Sequence, residues 1–241
     1  MKPARDTHGK VFLIPTTLGE QDPLQVLPAS VKRTVEAVDH YIVENEKTAR
    51  RFIKSICPDK PQHSLHISVL NKRTEPAEIP AFLDPCSQGI SVGVISEAGC
   101  PGIADPGADV VALAHEKGIR VVPLTGPSSI LLALMASGMN GQSFAFNGYL
   151  PIDKAARKQE IKKLEKRSSE LQQSQICIET PYRNEQFLAD LSTTLKNDTK
   201  VCVACDITLS TEFIRTQTAG QWKRNTESLH KRPCIFIFHA R

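Results

Sequence analysis

The chain has 241 residues, room for one large domain or two small ones with a real core. Forty per cent apolar and 23 % charged residues make an ordinary globular balance, which excludes a disordered or low-complexity chain. Lys and Arg number 30 against 26 Asp and Glu, so the charge permits an anionic partner such as RNA without demanding one. Seven cysteines, an odd number, lie mostly inside apolar runs. No spacing among them points to a disulfide framework, so reduced thiols are expected. The start, MKPARDTHGK, has no apolar leader core, and no apolar stretch reaches the roughly 18 residues of a membrane span. A soluble, cytoplasmic protein is expected.

The first apolar run, Val11 to Ile14, does not alternate and predicts a strand buried on both faces. It ends at Pro15 and the loop Thr16-Thr17-Leu18-Gly19-Glu20. Val26, Leu27, Val31, Val35 and Val38 then mark a helix, with Pro28 tolerated near its first turn. Tyr41 to Val43 is a second strand, ending in Glu44-Asn45-Glu46-Lys47, and Thr48 to Ile56 reads as helix. Cys57 to Pro61 is a break. His63 to Val69 alternates and fits an edge strand, and Pro76 to Leu83 is a short helix or loop.

The organising stretch runs from Ser91 to Ser129. Val92 to Ile95 and Val121 to Leu124 are strands, each followed by a loop of Gly, Pro and small residues and then a helical pattern. In a parallel sheet both loops lie at the carboxyl ends of the strands, where open α/β sheets bind ligands. Beyond Ile130 to Met139, Gly138, Asn140, Gly141 and Gly148 mark a change of texture. Phe144 to Phe146, Ile176 to Glu179, Lys200 to Cys205 and Cys234 to Phe238 are strands; Ala155 to Gln173 and Glu185 to Leu195 are helices, and Trp222 lies in another. A domain boundary is expected near 138 to 151, giving an α/β domain of residues 1–140 and a second of 141–241.

No G-x-x-x-x-G-K-[ST] loop and no G-x-G-x-x-G follows the first strand, which argues against a P-loop enzyme or an ordinary dinucleotide dehydrogenase. In Glu97-Ala98-Gly99-Cys100-Pro101-Gly102-Ile103-Ala104-Asp105-Pro106-Gly107, the glycines let backbone groups approach a ligand. Asp105 before Pro106 is best read as a helix cap. Glu97 is either a ligand contact or a solvated carboxylate. In Thr125-Gly126-Pro127-Ser128-Ser129, the two serines either bond a ligand or cap the next helix. Cys202 and Cys205 form a C-x-x-C in a strand, where an offset of three sends the side chains to opposite faces, and no second pair exists; no metal site is expected. Lys154 to Arg167 reads as a solvated basic face, with an RNA backbone contact as the alternative.

Strand, E-A-G-x-P-x-I-x-D-P-G, helix and V-V-P-L-x-G-P-S-S resemble the tetrapyrrole methylase superfamily of S-adenosylmethionine-dependent (class III) methyltransferases. The resemblance is greatest to the branch that methylates a ribose 2′-hydroxyl in small-subunit ribosomal RNA, which reads S-D-A-G-T-P-x-I-x-D-P-G and L-P-G-P at these places. Phe146-Asn147-Gly148-Tyr149-Leu150-Pro151 is similar to its F-x-G-F-L-P, Ile178-Glu179-Thr180-Pro181-Tyr182-Arg183 to its Y-E-S-P-H-R, and Asp206 to Glu212 to its E-L-T-K segment. The likeness runs from about residue 10 to the end.

The resemblance implies two α/β domains with the cofactor in the cleft between them. It places Pro15, Ala98, Gly99, Cys100, Ile103, Ser128, Ser129, Glu179, Thr180 and Ile207 beside S-adenosylmethionine. It also implies a ribosomal RNA or small-subunit partner and a homodimer. Glu97, Glu44 and Asp206 are candidate proton acceptors by location. The chain departs from the branch where Pro15-Thr16-Thr17-Leu18-Gly19 stands for P-I-G-N-L and Glu44-Asn45-Glu46-Lys47 for E-D-T-R. It also ends soon after its last strand, where many members carry a further module. Methylation of a tetrapyrrole or other metabolite, and cofactor binding without catalysis, are the alternatives.

Overall fold

The computed structural model describes residues 8–240. The leader reading of residues 1–10 therefore falls largely outside the described residues. The chain divides into two units, one ending at Ser128 and one beginning at Ser129.

In the first unit the strands are β1 (Val11–Ile14), β2 (His40–Val43), β3 (His66–Val69), β4 (Val92–Ile95) and β5 (Val121–Pro123). The described strands pair all-parallel in the order β3-β2-β4-β1-β5. Because the sheet is parallel, it needs cover on both faces, and its central strands are correspondingly apolar without alternation. The helices are α1 (Ala29–Ala37), α2 (Glu46–Ile56), the short α3 (Asp84–Ser87) and α4 (Gly107–Glu116). One apolar cluster joins Ile14, Val31, Val35, Tyr41 and Ile53; a second joins Val11, Ile42, Val94, Val110 and Ala114. Neighbouring positions on one strand thus serve opposite layers, as Ile42 and Tyr41 do. Pro28 is the N-cap of α1, so the helix starts later than Val26 and Leu27 led one to expect. Asn45 caps α2, accepting from the N–H groups of Lys47 and Thr48.

The second unit is mixed. Its strands are β6 (Phe144–Tyr149), β7 (Ser174–Ile178), β8 (Lys200–Cys205), β9 (Phe213–Thr218) and β10 (Cys234–His239), in the order β6-β7-β10-β8-β9. Among the described strands only β6 and β7 pair parallel; β10 runs antiparallel to both of its neighbours, as β9 does to β8. Its helices are α5 (Ser129–Ser137), α6 (Lys154–Leu171), α7 (Asn184–Thr194) and α8 (Ala219–Trp222). Ile161, Leu164, Phe187, Leu191, Trp222 and Phe236 form the main core, with Phe187 and Phe236 edge to face at 4.9 Å.

Two expectations are corrected. The boundary lies at Ser128/Ser129 rather than near 140, because α5 packs on β8, β9 and β10 and so belongs to the second sheet. Cys205 and Cys234 form a disulfide, where only thiols were expected. They are directly opposed across β8 and β10, with Cα atoms 4.3 Å apart, a closeness that the antiparallel register creates. Cys57, Cys86, Cys100, Cys177 and Cys202 are free. Burial raises the Cys177 thiol to about 12, so it is inert. Among the described residues no helix is long and apolar enough to cross a membrane.

Candidate functional site

Parallel pairing puts the loops after β1, β2, β4 and β5 at one edge of the first sheet. The loop after β4 is pinned from several sides. Thr16 N–H donates to the Gly99 carbonyl (2.9 Å), and Ser96 Oγ donates to the same oxygen (3.1 Å). Cys100 Sγ lies 3.3 Å from the Pro127 carbonyl oxygen and 3.7 Å from that of Gly126. A Cβ on Gly126 would run into the Pro15 ring, so a glycine is what lets these two loops touch.

Asp105 closes the turn from within. Its carboxylate accepts from Gly102 N–H (2.9 and 3.0 Å) and Gly107 N–H (2.7 Å); the expectation that it is the N-cap of α4 is corrected, because Pro106 takes that position and Asp105, one residue earlier, ties the loop to the first residue of the helix. Gly99 (φ 75°), Gly102 (φ 81°) and also Ala104 (φ 62°) adopt the left-handed conformation. For alanine that conformation stores about 1–2 kcal/mol. Asp105→Ala is expected to release two anchored N–H groups and cost about 1–3 kcal/mol of stability in a thermal melt. Unchanged stability would mean the turn holds itself.

Among the described residues no acceptor meets the backbone N–H groups of Gly99, Cys100, Ile103 and Ala104. Ile103 is exposed. A pinned lip of spare donors beside an apolar side chain fits the polar tail and flat ring of the implied nucleoside cofactor. Ser128 and Ser129, both half-buried, stand where the β5 loop enters α5.

Beside this lip is a cavity of about 450 Å³, lined by Thr16 to Gln21, by Thr48, Arg51, Phe52 and Ser55 of α2, and by Glu97. Glu97 Oε1 accepts from Thr48 Oγ1 (2.5 Å), and Glu97 N–H donates to Glu44 Oε1 (3.3 Å). Burial, the leading cause, raises the Glu44 carboxyl above its ordinary value, and the Asp105 and Glu97 charges add to this against the bond from Glu97 N–H. The parts played by Thr48, Arg51 and Phe52 were not foreseen. The available signal was the spacing of Thr48, Arg51 and Ser55, which share one face of α2.

At one edge of the second sheet lie the ends of β6, β7 and β8. The buried Glu179 carboxylate accepts from Thr180 N–H (2.6 Å) and from Arg183 Nη2 (2.6 Å) and Nε (3.1 Å). Asp206, in left-handed conformation (φ 47°), accepts from Arg232 Nε (2.8 Å) and Thr211 Oγ1 (2.9 Å). Arg232 in turn donates to the Thr211 carbonyl (2.6 Å). Asp206, the third candidate proton acceptor, is thus held in an ion pair that braces the β8–β9 turn. Ile207 beside it is buried. The loops of the first unit gather Pro15, Glu44, Glu97, Ala98, Gly99, Cys100 and Ile103 at one sheet edge; Glu179, Thr180, Asp206 and Ile207 share an edge of the second sheet.

Residues 24–222 match the family model described as Tetrapyrrole (Corrin/Porphyrin) Methylases. The chain is 26% identical over 235 residues to a ribosomal RNA small subunit methyltransferase I from Vibrio cholerae, covering 95% of this chain and 77% of that protein. It is 31% identical over 208 residues to the protein of that name from Bacillus subtilis, covering 86% and 67%. Among solved structures, the methyltransferase CobJ superposes with a TM-score of 0.63 at 16% identity, covering 97% of this chain and all of that one. A cobalt precorrin-4 methyltransferase, CbiF, gives 0.63 at 13%, covering 99% and 98%.

Proposed function

The chain belongs to the tetrapyrrole (corrin/porphyrin) methylases, in the branch of the ribosomal RNA small subunit methyltransferase I proteins, and on that premise we propose that it methylates a ribose 2′-hydroxyl of small-subunit ribosomal RNA, with S-adenosylmethionine as donor. The observation that carries the reading is the pinned Gly99–Ala104 lip with its spare backbone donors. In this reading Pro15, Ala98, Gly99, Cys100, Ile103, Ser128 and Ser129 hold the cofactor from the three loops. Glu179, Thr180 and Ile207 of the second unit contribute to the same task.

The bound sulfonium supplies an electrophilic methyl group, so the protein needs only to orient the acceptor, exclude water and help a weak nucleophile. A ribose hydroxyl is poorly nucleophilic at neutral pH, and a positioned carboxylate that takes its proton is the economical aid. Glu97 fits that role, because it lines the cavity and has its backbone and one carboxylate oxygen fixed. Glu44 acts as its holder. Arg51 and Phe52 line the same cavity, offering a charge for phosphate and a ring for a base. A cytoplasmic location follows from this substrate. Homodimerisation is part of the proposal and is supported by the exposed apolar Leu131 and Met135 of α5.

The test is methyl transfer from labelled S-adenosylmethionine to small ribosomal subunits from a strain lacking the gene, with the product nucleotide mapped. One new ribose methyl is the expected result. Label appearing only in low-mass metabolites, or cofactor binding with no transfer to any RNA, would overturn the reading.

A further inference from the structure

The turn around α8 builds a groove whose lining contains three cations and no carboxylate. It has a volume of about 660 Å³ and is walled by Arg215 and Gln217 of β9, by Lys223, Arg224 and Asn225 after α8, and by Asn197. Arg215, Lys223 and Arg224 are exposed. Lys223 Nζ donates to Asn197 Oδ1 (2.8 Å), a neutral partner that leaves its charge uncompensated. Arg224 has no side-chain acceptor among the described residues. Arg215 has one counter-charge, Glu227, at the long distance of 3.7 Å, and lies over the Phe213 ring at 4.8 Å.

The groove is rigidly made. Trp222 is buried beneath it and donates its indole N–H to the Val201 carbonyl (2.9 Å). Gly220 N–H donates to the Asn197 carbonyl (3.0 Å), and a Cβ on Gly220 would stand 3.2 Å from that oxygen. Thr218 and Gln221 close a reciprocal cap at the head of α8, and Asn225 ties to Glu227.

The lysine run of α6, which the sequence put forward as a basic face, is different. Lys163 pairs with Glu160 (3.3 Å) and Lys166 with Glu170 (3.7 Å), so two of its exposed lysines have a counter-charge on the same helix. The groove's lining holds no carboxylate, whereas α6 carries Glu160, Glu165 and Glu170 among its cations. Its remaining lining is amide and hydroxyl, which suits ribose hydroxyls and base edges.

We propose that the groove of Arg215, Lys223 and Arg224 binds the phosphodiester backbone of RNA, remote in sequence from the methyl-transfer loops; the proposal rests on the ribosomal RNA reading above. The contact is sequence-independent and positions the substrate for the loops that act on it.

The test uses the full chain and a fluorescein-labelled, mixed-sequence single-stranded RNA, with anisotropy measured from about 50 to 200 mM KCl, the range in which released counterions dominate. Combined Arg215→Ala, Lys223→Ala and Arg224→Ala should weaken binding about tenfold or more. It should also flatten the slope of log K against log salt by about 2, at about 0.7 per lost phosphate contact. Combined Lys162→Ala, Lys163→Ala and Lys166→Ala removes the same charge from α6 and should change affinity less than about twofold. A groove variant with the wild-type slope, or an α6 variant that loses as much, overturns the proposal. So does equal loss of binding to a poly-glutamate chain, which would make the groove an acidic-peptide site. Should the triple variant fail to fold by its Trp222 fluorescence, the single Arg224→Ala change must still flatten the slope by about 0.7. A wild-type protein that methylates subunits while the groove variant binds RNA normally overturns the groove alone. A wild type that neither binds nor methylates RNA overturns the functional reading with it.

Discussion

Replacing Gly99 by leucine is expected to lower the affinity for S-adenosylmethionine at least about 100-fold, which corresponds to about 2.7 kcal/mol. Two effects combine. The residue has φ 75°, which a branched L side chain adopts only with strain of about 1–3 kcal/mol. Its new Cβ would stand 3.1 Å from both Leu18 Cδ2 and the Pro127 carbonyl oxygen, and the rest of the side chain would lie across the lip of spare N–H groups. Gly99 itself has little freedom to shift away, because Thr16 and Ser96 both hold its carbonyl. Calorimetric titration of the wild type and variant, with a thermal melt to establish that the variant is folded, is the measurement. A folded variant that binds as tightly as the wild type would remove this loop from the cofactor site.

The second large effect concerns the reaction rather than binding. Glu97→Gln should reduce kcat for methyl transfer by about 10²–10⁴-fold and leave cofactor affinity unchanged, as loss of a proton acceptor does. Glutamine keeps the shape and can still take the Thr48 hydrogen bond, so the loss isolates the carboxylate charge. Thr48→Val removes the bond and keeps the charge; its smaller loss, about tenfold, would measure orientation. Single-turnover kinetics on small ribosomal subunits separates these from product release. If Glu97→Gln runs at the wild-type rate, the protein supplies no base from this position, and orientation of the hydroxyl must suffice.

Much of the first unit was legible in the chain. Val11–Ile14, Val92–Ile95 and Val121–Pro123 are short, uniformly apolar runs that end in Gly/Pro loops, and that combination leaves few alternatives to a buried parallel strand. Asp105 before Pro106 marked the approach to α4, one residue ahead of the N-cap that Pro106 takes. What the chain did not reveal follows from pairing across distance. The contact of Glu44 and Thr48 with Glu97 depends on β2 lying beside β4, and nothing local to Tyr41 or Val94 says so. The bond of Asp206 to Arg232, 26 residues away, is hidden in the same way, because β9 and α8 intervene before β10 pairs with β8. The Cys205–Cys234 bond is hidden by the same register.

The other misses have local causes. β9 has the sequence FIRTQT, with apolar residues only at its start, because an edge strand with exposed side chains needs no continuous apolar run. The misplaced boundary traces to α5. SILLALMAS is apolar almost all round, so it carries no one-sided stripe to say which sheet it covers.

The strand order of the first unit also bears on how the protein is made. Val11 of β1 pairs with Val92 on one side and Val121 on the other, so this early segment acquires no neighbour until about 80 residues have followed it. At translation rates of about 5–20 residues per second, that interval lasts roughly 4–16 s. Throughout it, the uncharged Val-Phe-Leu-Ile segment has left the ribosome with no partner strand to take its backbone hydrogen bonds. Among the described strands β1 therefore waits longest for a neighbour, and it is the stretch of the nascent chain most in need of a chaperone.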